Sequence, residues 1–142
     1  MEELKFNSQI CTTVEQSKRL LELGLKSETA DMCWLNDMQK PFCSPYKCLV
    51  ERVQDMKWVI SPAWSLHRLI ELCPETISFE ETYDDNEVYC SLHIEDKDRI
   101  VYHDYGSNAY NFDKHRNIYN NIIDCIEWLI SEGYFNKQYL NE

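Results

Sequence analysis

The stretch VYCSLHIEDKDRIVYHDY, Val88 to Tyr105, alternates polar and apolar residues on both sides of a charged turn, and its reading decides the fold. Alternation with period two places successive side chains on opposite faces of a strand, so the two halves read as an antiparallel hairpin. ISFEETY, from Ile77, precedes it across the turn cluster DDNE, which extends the hairpin to a meander over residues 77–105. A two-residue turn at Asp96 and Lys97 sets Cys90 opposite His103 and Leu92 opposite Val101. One face then carries Val88, Cys90, Leu92, Ile94, Val101, His103 and Tyr105, and the other Tyr89, Ser91, His93, Ile100, Tyr102 and Asp104. The first face is the more apolar and is expected to meet the helices.

Three helices flank this meander. The stretch ICTTVEQSKRLLELGL, from Ile10, predicts a helix over 13–23 with two overlapping capping boxes, Thr12 with Glu15 and Thr13 with Gln16. Gly24 and Leu25 supply its ending. A second helix is expected over 62–73, with Ser61 as cap, Pro62 in the first helical position and Pro74 as the stop. GSNAYNFD reads as a loop, after which Asp113 caps a helix over 114–132. That helix is marked by Ile118, Ile122, Cys125, Ile126 and Leu129 at helical spacing. TADMCWL, from Thr29, and parts of 49–60 supply one or two further strands, interrupted by Pro41 and Pro45. With no repeat or linker, the expectation is a single α+β domain over 1–142, an antiparallel sheet packed against about three helices.

Composition removes several functions. The chain of 142 residues has three glycines, too few for phosphate-cradling loops, and none of the nucleotide-binding or hydrolase signatures occurs. No cofactor is therefore expected. Its 25 acidic residues against 14 basic ones give a net charge of −11, which repels phosphate backbones, so direct nucleic-acid binding is not expected. The densest basic cluster is Lys114, His115 and Arg116. The N-terminal MEELKFNSQI lacks the features of a signal peptide, and no apolar run nears the roughly 20 residues of a membrane span. A cytoplasmic location without membrane attachment follows as the expectation, with the seven cysteines held as thiols.

Three stretches, ICTTVEQSKRLLELGLKSETADM, PAWSLHRLIEL and CIEWLISEGYFNKQYL, resemble short single-domain proteins encoded in prophages and other mobile elements of gut bacteria. The resemblance covers both ends and the middle helix and leaves out 36–60. It implies a genomic setting and a single-domain length, and carries no activity or site residues with it.

The candidate chemistry is sparse. Cys11 precedes a helix start, where free N–H groups favour thiolate, but the Cys-x5-Arg phosphate loop is missing and the first arginine is Arg19. A small buried hydrophobe accounts for it better. Cys43 and Cys48, with Cys33 upstream, form one loose pair where structural zinc needs two tight ones. The inferred Cys90–His103 pair would suit an activated thiolate, yet it lies on the face expected to be buried, and Asp104 points away from it. These residues define the competing reading, a thiol-dependent enzyme or zinc module. The leading expectation is a non-enzymatic, acidic protein-interaction module with an unidentified protein partner, a variant of which imitates nucleic acid. Its surface combines Tyr89, Tyr102 and Tyr110 with the acidic turn at Asp84 and Asp85, because tyrosine brings apolar area and a polar tip to an interface.

Overall fold

The computed structural model describes residues 3–4, 8–35, 59–80, 87–106 and 108–142. Helix α1 (Val14–Glu22) opens with the second of the two predicted boxes. Thr13 Oγ1 accepts the Gln16 N–H at 3.1 Å, and Gln16 Oε1 accepts the Thr13 N–H at 2.9 Å. Thr12 is turned inward instead, where its Oγ1 accepts the Trp64 N–H at 3.0 Å. Gly24, at φ 101°, ends the helix, and the Leu25 N–H reaches back to the Leu20 carbonyl at 3.1 Å. Only a residue tolerant of the left-handed region closes a helix this way.

Strand β1 (Met32–Leu35) pairs antiparallel with β2 (Val59–Ala63). Here the structure corrects the second helix. Ser61 and Pro62 lie in β2, Pro62 opposite Cys33, and helix α2 runs only over Leu66–Leu72. Among the described residues this sheet has two strands, so each presents one edge without a ladder partner, which is where a proline is accommodated. Ser65 supplies the cap: its Oγ accepts the Arg68 N–H at 3.1 Å and donates to Asp31 Oδ2 at 2.5 Å. The stop at Cys73, before Pro74, falls where the sequence places it.

The meander is present and one strand longer than predicted. Strands β3 (Thr76–Glu80), β4 (Glu87–Glu95), β5 (Arg99–His103) and β6 (Ala109–Phe112) form a four-stranded antiparallel sheet in sequence order. β6 occupies part of the stretch read as loop. The β4–β5 register is also corrected. Glu95 pairs with Arg99, so three residues lie between the paired ends, and Ser91 faces His103 while Leu92 faces Tyr102. Asp96 and Lys97 both take positive φ, at 53° and 71°, to make that turn. A one-residue slip exchanges the faces of a strand. Ile100 and Tyr102 therefore point into the core, and His103 to the other side.

Helix α3 (Ile118–Ser131) is capped by Asn117, whose Oδ1 accepts the Asn120 N–H at 3.1 Å, rather than by Asp113. Among the described residues there are thus three α-helices and two antiparallel sheets, an α+β fold. The inner faces of all three helices share one buried cluster with Ile77, Cys90, Ile100 and Tyr102 from the larger sheet. Its buried members include Leu20, Trp64, Leu69, Ile122, Ile126 and Leu129, and each aliphatic side chain contributes roughly 1.5–3 kcal/mol by leaving water. The chain's C-terminal segment is bound to the end of α1. Lys26 N–H donates to the Tyr139 carbonyl, and Asn141 N–H to the Gly24 carbonyl, both at 2.8 Å.

Candidate functional site

Geometry and electrostatics both disfavour Cys11 and Cys90 as nucleophiles. Cys11 is 1% exposed, and its pKa is pushed up to about 11 by burial, then by the Asp31 carboxylate and the Cys33 thiol. Burial likewise raises Cys33, and burial followed by the Asp104 charge raises Cys90. A hydrogen bond with Cys73, reinforced by burial, raises Cys125. The Cys90–His103 pair does not form, because Cys90 lies opposite Ile77 in the core while His103 lies opposite Ser91 on the outer face. Cys43 and Cys48 lie outside the described residues, and among those described no group of three or more His, Cys, Asp or Glu is placed to hold a metal.

The predicted tyrosine surface divides. Tyr89 is 58% exposed, and its hydroxyl donates to Glu87 Oε2 at 2.7 Å. Tyr102 is fully buried, with its hydroxyl on the Pro74 carbonyl at 2.6 Å, so it is a core residue and no part of a surface. Tyr110 shares the core side, its ring 4.7 Å from that of Trp128. Asp84 and Asp85 lie outside the described residues.

Two surfaces take their place. The first is the outer face of the four-stranded sheet, opposite the helices. His93 and His103 stack there, and Tyr105 meets both rings edge-on at 5.6 and 4.8 Å. Tyr105 is 83% exposed and sits at φ 67°, in the left-handed region that costs a bulky residue of order 1 kcal/mol or more. Asp104 secures that turn by accepting the Gly106 N–H at 2.8 Å and an Asn108 side-chain N–H at 3.0 Å. The Asn108 bond, with the Gly106 amide, holds the Asp104 carboxyl below its usual range.

The second is a cavity of about 560 Å³ where α1, α3 and the end of β6 meet. Phe112 and Trp128 form its aromatic wall, with ring centroids 5.6 Å apart. Arg19 Nη2 donates to Asp124 Oδ1 at 2.6 Å and to Glu127 Oε2 at 2.8 Å, and His115 Nε2 lies 3.2 Å from Asp124 Oδ2. Sequence reasoning missed this cavity. Arg19 stands on the polar side of α1, and Phe112 lies in the stretch that the sequence reads as loop. The one available signal was the Asp124–Glu127 pair, three residues apart on a helix face.

No protein-family model, curated protein or solved structure matches the chain. Among the described residues no helix is long and apolar enough to cross a membrane.

Proposed function

We propose that this chain is a small acidic protein-interaction module of a phage or mobile element, docking a basic protein on the outer face of its four-stranded sheet. The observation that carries the reading is the pair of exposed aromatic rings on that face, Tyr89 and Tyr105, the second held there at a strained backbone position. Aromatic side chains standing in water next to carboxylates such as Glu87 suit a partner that offers apolar area and positive charge. The net charge of −11 steers such a partner and repels nucleic acid. Buried thiols with raised pKa values speak against the competing thiol chemistry.

The test is affinity capture from the organism that carries the chain, followed by titration of the captured protein against wild type and a Tyr89→Ser, Tyr105→Ser double variant. The reading requires a basic partner whose affinity drops at least tenfold in the double variant. Equal affinity, or capture of acidic partners only, removes the outer face as the docking surface.

A further inference from the structure

Among the described residues strand β6 has a neighbour on one side only. The β5–β6 register settles which of its backbone groups face the open side. Asp104 N–H donates to the Asn108 carbonyl at 3.3 Å, which places those two residues at a hydrogen-bonded position of the β5–β6 pairing. Counting by twos along the register, Tyr102/Tyr110 and Ile100/Phe112 are the next such pairs. The residues between them, Ala109 and Asn111, therefore turn their N–H and C=O groups away from β5. Both residues are exposed, and neither has a backbone partner among the described residues.

Native proteins blunt such edges with charge, proline or a bulge. The other edge strand, β3, leads into the acidic run EETYDDNE. The strand AYNF is short, at four residues, but carries no charge or proline, and its pairing with β5 proceeds without a register shift. Alongside it lies the cavity of about 560 Å³, whose lining includes Asn111, Phe112 and Trp128. At its rim Arg19 is paired with Asp124 and Glu127, and His115 lies against Asp124, while Lys114 adds a further cation to the lining. The paired groups need no ionic partner, and the aromatic wall and the two outward amides remain to be satisfied.

We propose that the edge of β6 accepts an extended segment of a partner protein as a fifth strand, placing one apolar or aromatic side chain against Phe112 and Trp128. Main-chain bonds to Ala109 and Asn111 supply the pairing, and the alternate side chain entering the cavity supplies selectivity. Basic residues flank that apolar position, because a chain of net charge −11 draws in cationic segments and repels acidic ones. This site is separate from the Tyr89–Tyr105 face, and each stands or falls without the other.

The probe is a capped hexapeptide, Lys-Val-Lys-Phe-Lys-Val, compared with the same peptide carrying Glu in place of Lys. Binding to the full chain is followed by amide exchange at Ala109 and Asn111 and by the indole N–H resonance of Trp128. The lysine peptide is expected to slow exchange at both amides at least tenfold and to shift the Trp128 resonance, with the glutamate peptide at least tenfold weaker. Asn111→Pro removes an outward donor and leaves the β5 ladder intact, and should weaken binding at least tenfold, whereas Asn111→Ala should bind as wild type. Absence of binding at millimolar peptide, protection elsewhere on the chain, equal binding of the two peptides, or a folded Asn111→Pro that binds normally each overturns the proposal.

Discussion

His93 and His103 stack across β4 and β5, their ring centroids 4.1 Å apart and their planes within 20° of parallel. Each nitrogen of His103 has an assigned neighbour. The Tyr105 N–H donates to Nδ1 at 3.3 Å, and Nε2 lies 3.4 Å from Glu95 Oε1. An Nδ1 that accepts requires the proton of the neutral ring on Nε2, where it points at the carboxylate. Nitrogen-detected NMR should therefore find neutral His103 as the Nε2–H tautomer. His93 differs, since its Nε2 is buried without a hydrogen-bond partner among the described residues. His93→Phe keeps the stack and removes the orphaned nitrogen, so its melting temperature should equal or exceed that of wild type.

Glu95 ties this cluster to the hairpin. A hydrogen bond from Arg99 holds its carboxyl below the ordinary value of 4.5, with His103 and His93 adding attraction and partial burial opposing. A depressed carboxylate pKa contributes stability that is present above pH 4.5 and is lost as pH falls through the lower folded value. Glu95→Gln should lower the melting temperature at pH 7. The gap between variant and wild type should shrink steadily under acid titration below pH 4.5. A gap that does not vary with pH would mean that the Glu95 charge contributes nothing.

The same hairpin shows what the sequence could and could not specify. Its two strands, and the α+β class, are legible because each alternates with period two. Register is not, because both parities of β5 are apolar: Ile100 and Tyr102 are buried on one face and Val101 is 2% exposed on the other. Asp96–Lys97 reads as a two-residue turn, but Asp98 joins it, and the slip that results carries Tyr102 from the predicted surface into the core. Ser61–Pro62 is a sound helix start by local chemistry, overridden by pairing with β1 that no local signal announces. The cavity at Trp128 is invisible for a similar reason. It is assembled from Arg19, Phe112 and Asp124, which are distant in sequence and unremarkable one at a time.

The choice between overlapping capping boxes is open to mutation. Thr13 makes the reciprocal bonds with Gln16, so Thr13→Ala should cost about 1 kcal/mol, the usual loss for a removed cap. Glu15→Ala, which tests the unused box, should change stability by less than about 0.5 kcal/mol. Urea unfolding of the two variants checks both values.

Cys11 is the most specific test of the thiol reading. A pKa near 11 in place of 9.0 leaves roughly a hundredfold less thiolate at neutral pH. Thiol-disulfide exchange with a small aromatic disulfide should therefore be at least that much slower at Cys11 than at free cysteine, and should accelerate as pH rises toward 11. The raised value also means that this group's contribution to stability is intact below pH 9.0 and is lost as pH rises through 11. Rapid labelling of Cys11 at neutral pH would restore the nucleophile.

Asn121 interrupts the apolar stripe of α3 and is fully buried. Its Nδ2 donates to the carbonyls of Asp98 and His115, both at 2.8 Å, and its Oδ1 accepts the His115 N–H at 3.0 Å. One side chain thereby joins the helix to the β4–β5 turn and to the segment that leads from β6 into α3. Periodicity marks position 121 as interior but gives no reason for an amide there; the reason is the backbone groups of two turns, which this one side chain binds to the helix. Asn121→Leu offers similar volume and none of the bonds, so it should destabilise the fold by about 2–4 kcal/mol, more than a cavity-free apolar exchange would. Asn121→Asp retains the acceptor and loses both donations, and should cost nearly as much at neutral pH. The loss should show first as faster amide exchange at Asp98 and His115, ahead of global unfolding. An Asn121→Leu variant with wild-type stability would show that this side chain does not hold the two turns to the helix.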